Sequence, residues 1–358
     1  MIKSMIITDV DFWKPKNKYA KRLSSVTSFL IKHSHLSIIL VGNKQVSTKT
    51  DSLPKSADIL FLDNDILSDK EKNIASIKRL LEFDDYKICI IGHIYLSYFL
   101  QSIPEKVISI LNAHEILSKK NPANSKNQYE RLNFTLSKNT EYKVHELFTY
   151  VMFICKNDYE NILHDNQEKI LLIAHPGSLR RHVIKEDAKI IGFTGSASFT
   201  NIYSISWFLD KVWAKIPEDK SITLNIYGEI CKHIPTALIK GKNVILRGDH
   251  DNMLEVYSEI DIAINPRMVD PDFSIKNIEI LANGIPLITT TIASIDLEKG
   301  VESAFLIADK EIDFCDLIIK LINDYKARKV LSINAHEFIN NNFDENMCFK
   351  ELKEILIS

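Results

Sequence analysis

Residues 273–290 read FSIKNIEILANGIPLITT. The first part has the look of a short helix. Gly284 supplies a left-handed helix end, and Pro286 then forbids continuation. The LITT that follows is strand-like, so the stretch reads as helix, sharp stop, strand. Lys276 and Glu279 stand three residues apart and therefore share a helix face. A cation and a carboxylate so placed are either a surface ion pair beside a turn or two groups turned toward a ligand.

The same alternation extends in both directions. KIIGFTG, SITLNIYG, NVILRG, DIAINP, IPLITT and SAFLIA are strand candidates. Between them lie a helix from about Asn201 to Val212, then NMLEVYSEI and KNIEILANG, and FCDLIIKLINDYKARKVLSINAHEFINNNF closes the series as helices. Toward the N-terminus SMIIT, LSIILVG, ADILFLD, YKICIIGH, VISILNAH and YVMFIC form an earlier series. Helical AKRLSSVTSFLIKH and EKNIASIKRLLEF are interleaved with it, and NPANSKN at 121–127 is a polar loop. Short apolar runs separated by helices predict parallel α/β structure. ILLIAHPGSLRRHVIKEDA breaks the pattern and marks a crossing near residues 175–187. The expected architecture is two Rossmann-like domains facing across a cleft, with boundaries at 1–180 and 181–345 and a C-terminal helical tail at 346–358. Ligands of open parallel sheets bind at the carboxyl ends of the strands.

Bulk composition narrows the function classes. At 358 residues, 45% hydrophobic and 26% charged, the chain is ordinary globular material with length for two cores. The net charge of -2 carries no basic field for nucleic acid, and the basic residues are not interleaved with aromatics in a stripe. The five cysteines are scattered without a CxxC, which argues against a disulfide framework and a cysteine-rich zinc site. The histidines have no ligand-like spacing, so no metal is expected. No apolar run reaches membrane-spanning length, and the opening MIKSMIITDVDFW does not read as a signal peptide. A cytoplasmic protein is expected. The locally basic KPKNKYAKR at 14–22 leaves room for peripheral membrane contact, or is simply a solvated loop entering a helix.

GFTGSASFTN at 192–201 follows a strand candidate and precedes a helix candidate. Gly195 and Ser196 allow a tight turn, and a helix start near Asn201 would offer N–H groups to an anion. The alternative is an ordinary loop with Thr200 or Asn201 as the cap. The stretch is neither GxGxxG nor a Walker A loop. Gly228 and Gly248 end the next two strands and give further loops at the same sheet edge.

The second half resembles the carboxyl-terminal domain of retaining, nucleotide-sugar-dependent glycosyltransferases with two Rossmann-like domains, the glycosyl transferases group 1 family of GT-B type. KIIGFTGSASFTNIYSISWFLDKVWAKI looks like its opening strand, loop and helix, and ITLNIYG like its second strand. NVILRGDHDNMLEVYSEIDIAINP and KNIEILANGIPLITT resemble the segments that follow, the last being the most diagnostic. The likeness covers about 188–345. In the first half VISILNAHEILSKK and VMFICKNDYENIL match more thinly. DVDFWKPKNKYAKR lacks the glycine of the family's acceptor loop.

The resemblance implies a metal-independent enzyme that moves a sugar from a nucleoside-diphosphate sugar, its co-substrate, to a glycan, lipid-linked sugar or protein acceptor, in surface polysaccharide or glycoconjugate synthesis. It implies no further cofactor. Carried over, Glu279 would accept from the ribose hydroxyls and Lys276 would meet the diphosphate. His114, with Glu115 beyond a strand candidate, would contact the donor sugar or diphosphate, or else is a structural histidine at a strand end. The family's first glutamate falls on Pro271, flanked by Asp270 and Asp272. Its Arg-Lys pair after the domain's first strand is absent, and Arg247 or Arg267 would have to supply that charge. These departures leave two alternatives open: a nucleotide-sugar 2-epimerase of the same architecture, and a catalytically silent nucleotide-sugar-binding or partner-binding subunit.

Overall fold

The computed structural model describes residues 1–13, 17–42, 56–62, 70–114, 116–119, 137–161, 167–217 and 221–357. Glu115, the polar loop at 121–127 and the 14–16 start of the basic stretch lie outside them.

The isoleucine-rich runs are strands, as branched side chains on short apolar segments require when both sheet faces are covered. The first sheet holds β1 (Lys3–Thr8), β2 (His35–Val41), β3 (Asp58–Leu62), β4 (Tyr86–Ile91), β5 (Ile108–Asn112), β6 (Tyr150–Phe153) and β7 (Ile170–Leu172). The second holds β8 (Ile190–Thr194), β9 (Thr223–Tyr227), β10 (Val244–Gly248), β11 (Ile262–Asn265), β12 (Leu287–Thr289) and β13 (Leu306–Ile307). The spatial orders are β3-β2-β1-β4-β5-β6-β7 and β10-β9-β8-β11-β12-β13, with parallel pairing throughout. Strand order therefore reverses between β1 and β4 in one sheet and between β8 and β11 in the other. Helices diverge to opposite faces at such a point, which opens a crevice beyond the strand ends.

The chain divides into two compact units, Met1–Ala174 with Cys348–Ser358, and His175–Met347. The C-terminal segment expected as a tail is a helix, Lys350–Ile357, that belongs to the first unit. Leu352, Ile355 and Leu356 bury its apolar face, and Glu351 accepts from the Leu172 amide at 2.9 Å. Each unit has its own core. Met5, Ile39, Ile91 and Phe99 lie in the first; Phe193, Phe208, Ile264 and Phe314 lie in the second.

Two local details position the site. Helix Ile275–Ala282 starts on Ser274, whose hydroxyl accepts from Asn277 N, and ends at Gly284 with φ 69°. Gly284 N bonds Leu281 O and Ile285 N bonds Ile280 O, the paired closure of a left-handed C-terminal cap. The helix after β8 begins at Phe199, earlier than the expected Asn201, because Ser198 is its cap and accepts from Asn201 N. It runs to Trp207 and continues through wider π turns over Phe208–Val212.

Candidate functional site

The helix of the diagnostic stretch carries Lys276 to the β8–β11 reversal point of the second sheet. Its ammonium lies 4.2 Å from the centroid of the Phe193 ring, on β8. It reaches Asn201 Oδ1 and Asn265 Oδ1, each at 3.4 Å. Both contacts are longer than a normal N–H···O bond. Weak neutral acceptors of this kind yield to a phosphate oxygen, whose charge shortens and strengthens the bond.

The oxygen that Asn265 shows Lys276 is set from behind. Asn265 Nδ2 donates to Asn277 Oδ1 at 2.8 Å and to Ser274 Oγ at 3.2 Å. Asn277 is fully buried and donates in turn to Ala293 O at 2.9 Å. With its amide hydrogens committed to this network, Asn265 turns its carbonyl outward. Asn277 thus packs in the interior as a polar connector between helix, strand and loop.

Glu279 faces a different neighbour. Tyr257 Oη, from the helix Met253–Glu259, donates to Glu279 Oε2 at 2.7 Å. Burial pushes the Tyr257 hydroxyl well above the ordinary phenol range, and the Glu279 charge adds to that. Lys276 and Glu279 are both half-buried. One helix thus presents a positive group toward β8 and β11, and a negative group toward the helix that follows β10.

The three glycine loops are stitched together. Gly195 N donates to Tyr227 O at 3.0 Å, Gly228 N to Gly248 O at 2.6 Å, and Ile230 N to Gly195 O at 3.3 Å. Gly228 has φ 102°, and a Cβ there would lie 2.2 Å from Gly195 O. The adjoining Ser196 is tied to Asn201, whose Nδ2 donates to Ser196 O and Oγ at 3.1 and 3.2 Å. Asn201 is therefore not the helix cap. Its amide joins the Gly195 loop on one side and Lys276 on the other.

The charges beside Pro271 are individually anchored. Asp270 is exposed at φ 57° and accepts from Thr200 Oγ1 at 2.5 Å. Arg267 donates to the Asp272 carbonyl at 2.9 Å, within its own loop. Arg247 is exposed on β10, close enough to Tyr227 to act on its hydroxyl. The structure thus joins Gly195, Ser196, Asn201 and Lys276 in one contact chain, and Gly195 with Gly228 in another. Asp270 touches the same helix as Asn201, Glu279 joins through Tyr257, and Arg247 stands apart on β10.

In the first unit His114 is buried beyond the end of β5. Its ring lies 4.8 Å from that of Tyr19 and 4.9 Å from that of His93. Asn112 Nδ2 approaches its Nε2 at 3.5 Å. His93 stacks on Tyr95, whose hydroxyl donates to Asp9 at 2.6 Å. These groups follow β1, β4 and β5, around the reversal point of the first sheet.

Sequence reasoning passed over Phe193, Asn265 and Tyr257. Asn265 had a usable signal, an amide closing the apolar run DIAIN, since a polar group in such a strand needs a partner. Tyr257 had none, because its contact with Glu279 spans 22 residues. Among the described residues no cluster of three or more His, Cys, Asp or Glu has metal-holding geometry, and no helix is long and apolar enough to cross a membrane.

Residues 188–324 match the family described as glycosyl transferases group 1. A protein of Klebsiella pneumoniae, described as an uncharacterized 44.6 kDa protein in the cps region, is 24% identical, with 81% of this chain and 80% of that protein covered. Among solved structures, sucrose-phosphate synthase from Thermosynechococcus elongatus aligns with TM-score 0.76 at 12% identity, over 99% of this chain and 98% of that one. Anabaena HepE in complex with UDP-glucose aligns with TM-score 0.75 at 12% identity, over 100% of both chains. These likenesses show the fold: two Rossmann-like domains of the GT-B type.

Proposed function

We propose that the chain is a retaining glycosyltransferase that moves a sugar from a nucleoside-diphosphate sugar to an acceptor hydroxyl. In this reading the unit His175–Met347 binds the donor and the unit beginning at Met1 binds the acceptor. The observation that carries the proposal is the setting of Lys276: a half-buried residue at the switch point of a parallel sheet, its ammonium 3.4 Å from each of two amide oxygens and 4.2 Å from the centroid of an aromatic ring. The family match over 188–324 and the UDP-glucose complex of HepE support the same ligand class.

The chemistry follows from the charges. The C1–O bond to the diphosphate loosens, and positive charge develops on the sugar ring as in glycoside cleavage. Lys276 meets the leaving diphosphate as its negative charge grows, which is where a preorganised cation lowers the barrier. The acceptor oxygen forms the new bond on the face the diphosphate leaves, and its proton passes to a leaving phosphate oxygen. Glu279 accepts from the ribose hydroxyls. Asp270 and Asp272, which flank the position of the family's first acid, bind the donor sugar. Arg247 or Arg267 supplies further positive charge for the phosphates. The Klebsiella relative in a cps region favours a glycan or lipid-linked sugar acceptor in surface polysaccharide synthesis, with the protein working in the cytoplasm or at the inner face of the membrane.

The test is a binding screen of purified protein against UDP-, GDP-, ADP- and CMP-sugars, comparing wild type with Lys276→Ala and Glu279→Gln. Wild type binds one class, and both variants weaken it. If wild type binds none, or the variants bind as wild type does, the assignment is wrong. Interconversion of a bound sugar nucleotide without acceptor would identify an epimerase instead. Binding without turnover across a broad acceptor panel would identify a silent subunit.

A further inference from the structure

A buried tyrosine ordinarily satisfies its hydroxyl on a nearby carbonyl or on water. Tyr257 does otherwise. It is 2% exposed, yet its proton goes to the half-buried carboxylate of Glu279 on another helix. A carboxylate carries no hydrogen of its own, so in this bond the phenol donates and Glu279 accepts. Thr194, the last residue of β8, lies beside the same hydroxyl.

The kind of partner matters. A lysine or arginine at this place would neutralise Glu279 and compete for it as an acceptor. A neutral phenol fixes the side-chain torsions and leaves the negative charge intact. With burial and the adjoining charge both raising the Tyr257 hydroxyl, it stays protonated and remains a donor at every physiological pH. A carboxylate has about four lone-pair sites, so one bond from Tyr257 still permits it to accept from a ligand. A pair of neighbouring sugar hydroxyls is a matching set of donors, and only a carboxylate held in one orientation meets both.

We propose that Tyr257 is a positioning residue: it holds Glu279 so that the carboxylate accepts from the ribose hydroxyls, and thereby makes the site select ribonucleoside over deoxyribonucleoside diphosphates. This rests on the nucleotide-sugar reading of the same site.

The experiment measures affinity, by calorimetry, for UDP, GDP and ADP and for the 2′-deoxy form of each. The proteins are wild type, Tyr257→Phe, Thr194→Val, Glu279→Gln and the Tyr257→Phe/Glu279→Gln double variant. Wild type prefers the ribo form of the nucleotide it binds by about tenfold or more, the scale of one hydrogen bond to a charged group. Tyr257→Phe lowers that preference at least threefold, with affinity for the deoxy form nearly unchanged. Thr194→Val, which leaves the ring in place, lowers it less. Glu279→Gln removes most of it, and the double variant is no worse than Glu279→Gln alone.

Equal weakening of both forms in Tyr257→Phe, or an unchanged preference, overturns the proposal and makes Tyr257 a packing residue. If Tyr257→Phe does not fold, Thr194→Val decides by the same ratio. Nucleotide binding by wild type without a ribo preference overturns the proposal while leaving the donor site standing. Binding of none of the diphosphates by wild type overturns both.

Discussion

The Lys276 ammonium lies 4.2 Å from the centroid of the Phe193 ring, so the site's cation rests on the strand where the second sheet reverses its order. The ring face supplies attraction without neutralising the charge. At a half-exposed position that contact contributes about 0.5–1 kcal/mol. Lys276→Met keeps the stem on the ring and removes the charge. Donor turnover is expected to fall about a hundredfold or more, with a change in thermal midpoint of no more than a few degrees. Steady-state kinetics beside thermal unfolding checks this. A large loss of stability with turnover preserved would make Lys276 a packing residue.

Asn277 links helix, strand and loop through one buried amide. Asn277→Leu keeps the volume but strands one Asn265 amide hydrogen and the Ala293 carbonyl. Each buried group left without a partner costs about 1–3 kcal/mol. Urea unfolding should show a loss of about 2–5 kcal/mol. Because Asn265 is then free to flip its amide toward Lys276, turnover of the folded fraction should also drop. A variant as stable and active as wild type would mean that the network is dispensable.

Gly228 separates conformational strain from collision. Gly228→Ala puts a methyl 2.2 Å from the Gly195 carbonyl at φ 102°, whereas Gly241→Ala, at φ 75°, meets nothing within 4 Å. The second change should cost about 1 kcal/mol, from the left-handed backbone alone. The first should cost several times as much, or force the Gly195 loop aside and abolish donor binding. Parallel denaturation curves, with donor titrations on both proteins, measure the difference. Equal costs would mean that the loops are not stitched as described.

Alkaline pH should weaken each unit through buried groups that are neutral only while protonated. Burial pushes the Cys89 thiol of the first unit from 9.0 to about 12, and the Tyr227 hydroxyl of the second from 10.0 to about 12. Both are neutral when protonated, and both release their proton later in the native state than in the unfolded chain. Below pH 9 their contribution is fully present. As pH rises the unfolded chain loses its protons first, so stability declines until about pH 12. The slope is about 1.4 kcal/mol per pH unit per group. Unfolding free energies measured from pH 8 upward test this. In Cys89→Ala the decline of the first unit should be shallower, and an identical slope would exclude Cys89 as its source.

Much of the fold was readable along the chain because its signals are local. Gly284 followed by Pro286 ends a helix whatever surrounds it, and isoleucine-rich runs between amphipathic segments lead to parallel sheets. The helix start after β8 was missed by two positions: Thr200 and Asn201 are both plausible caps, and only hydrogen-bond geometry shows that Ser198 takes the role. The return of the C-terminal helix to the first unit was not legible either. It depends on Leu352 and Leu356 finding a core laid down far earlier in the sequence.

The sequence by itself determined that Lys276 and Glu279 share a helix face in front of a sharp stop, because a spacing of three residues and a glycine–proline exit are local facts. What each faces was decided only by tertiary structure. Phe193, Asn201 and Asn265 surround the lysine, and Tyr257 grips the glutamate, from elements 11 to 83 residues away along the chain. The physical reason is that hydrogen bonds and ring contacts act over a few ångströms of space. Distance along the chain says nothing about them until the sheet has brought its strand ends together.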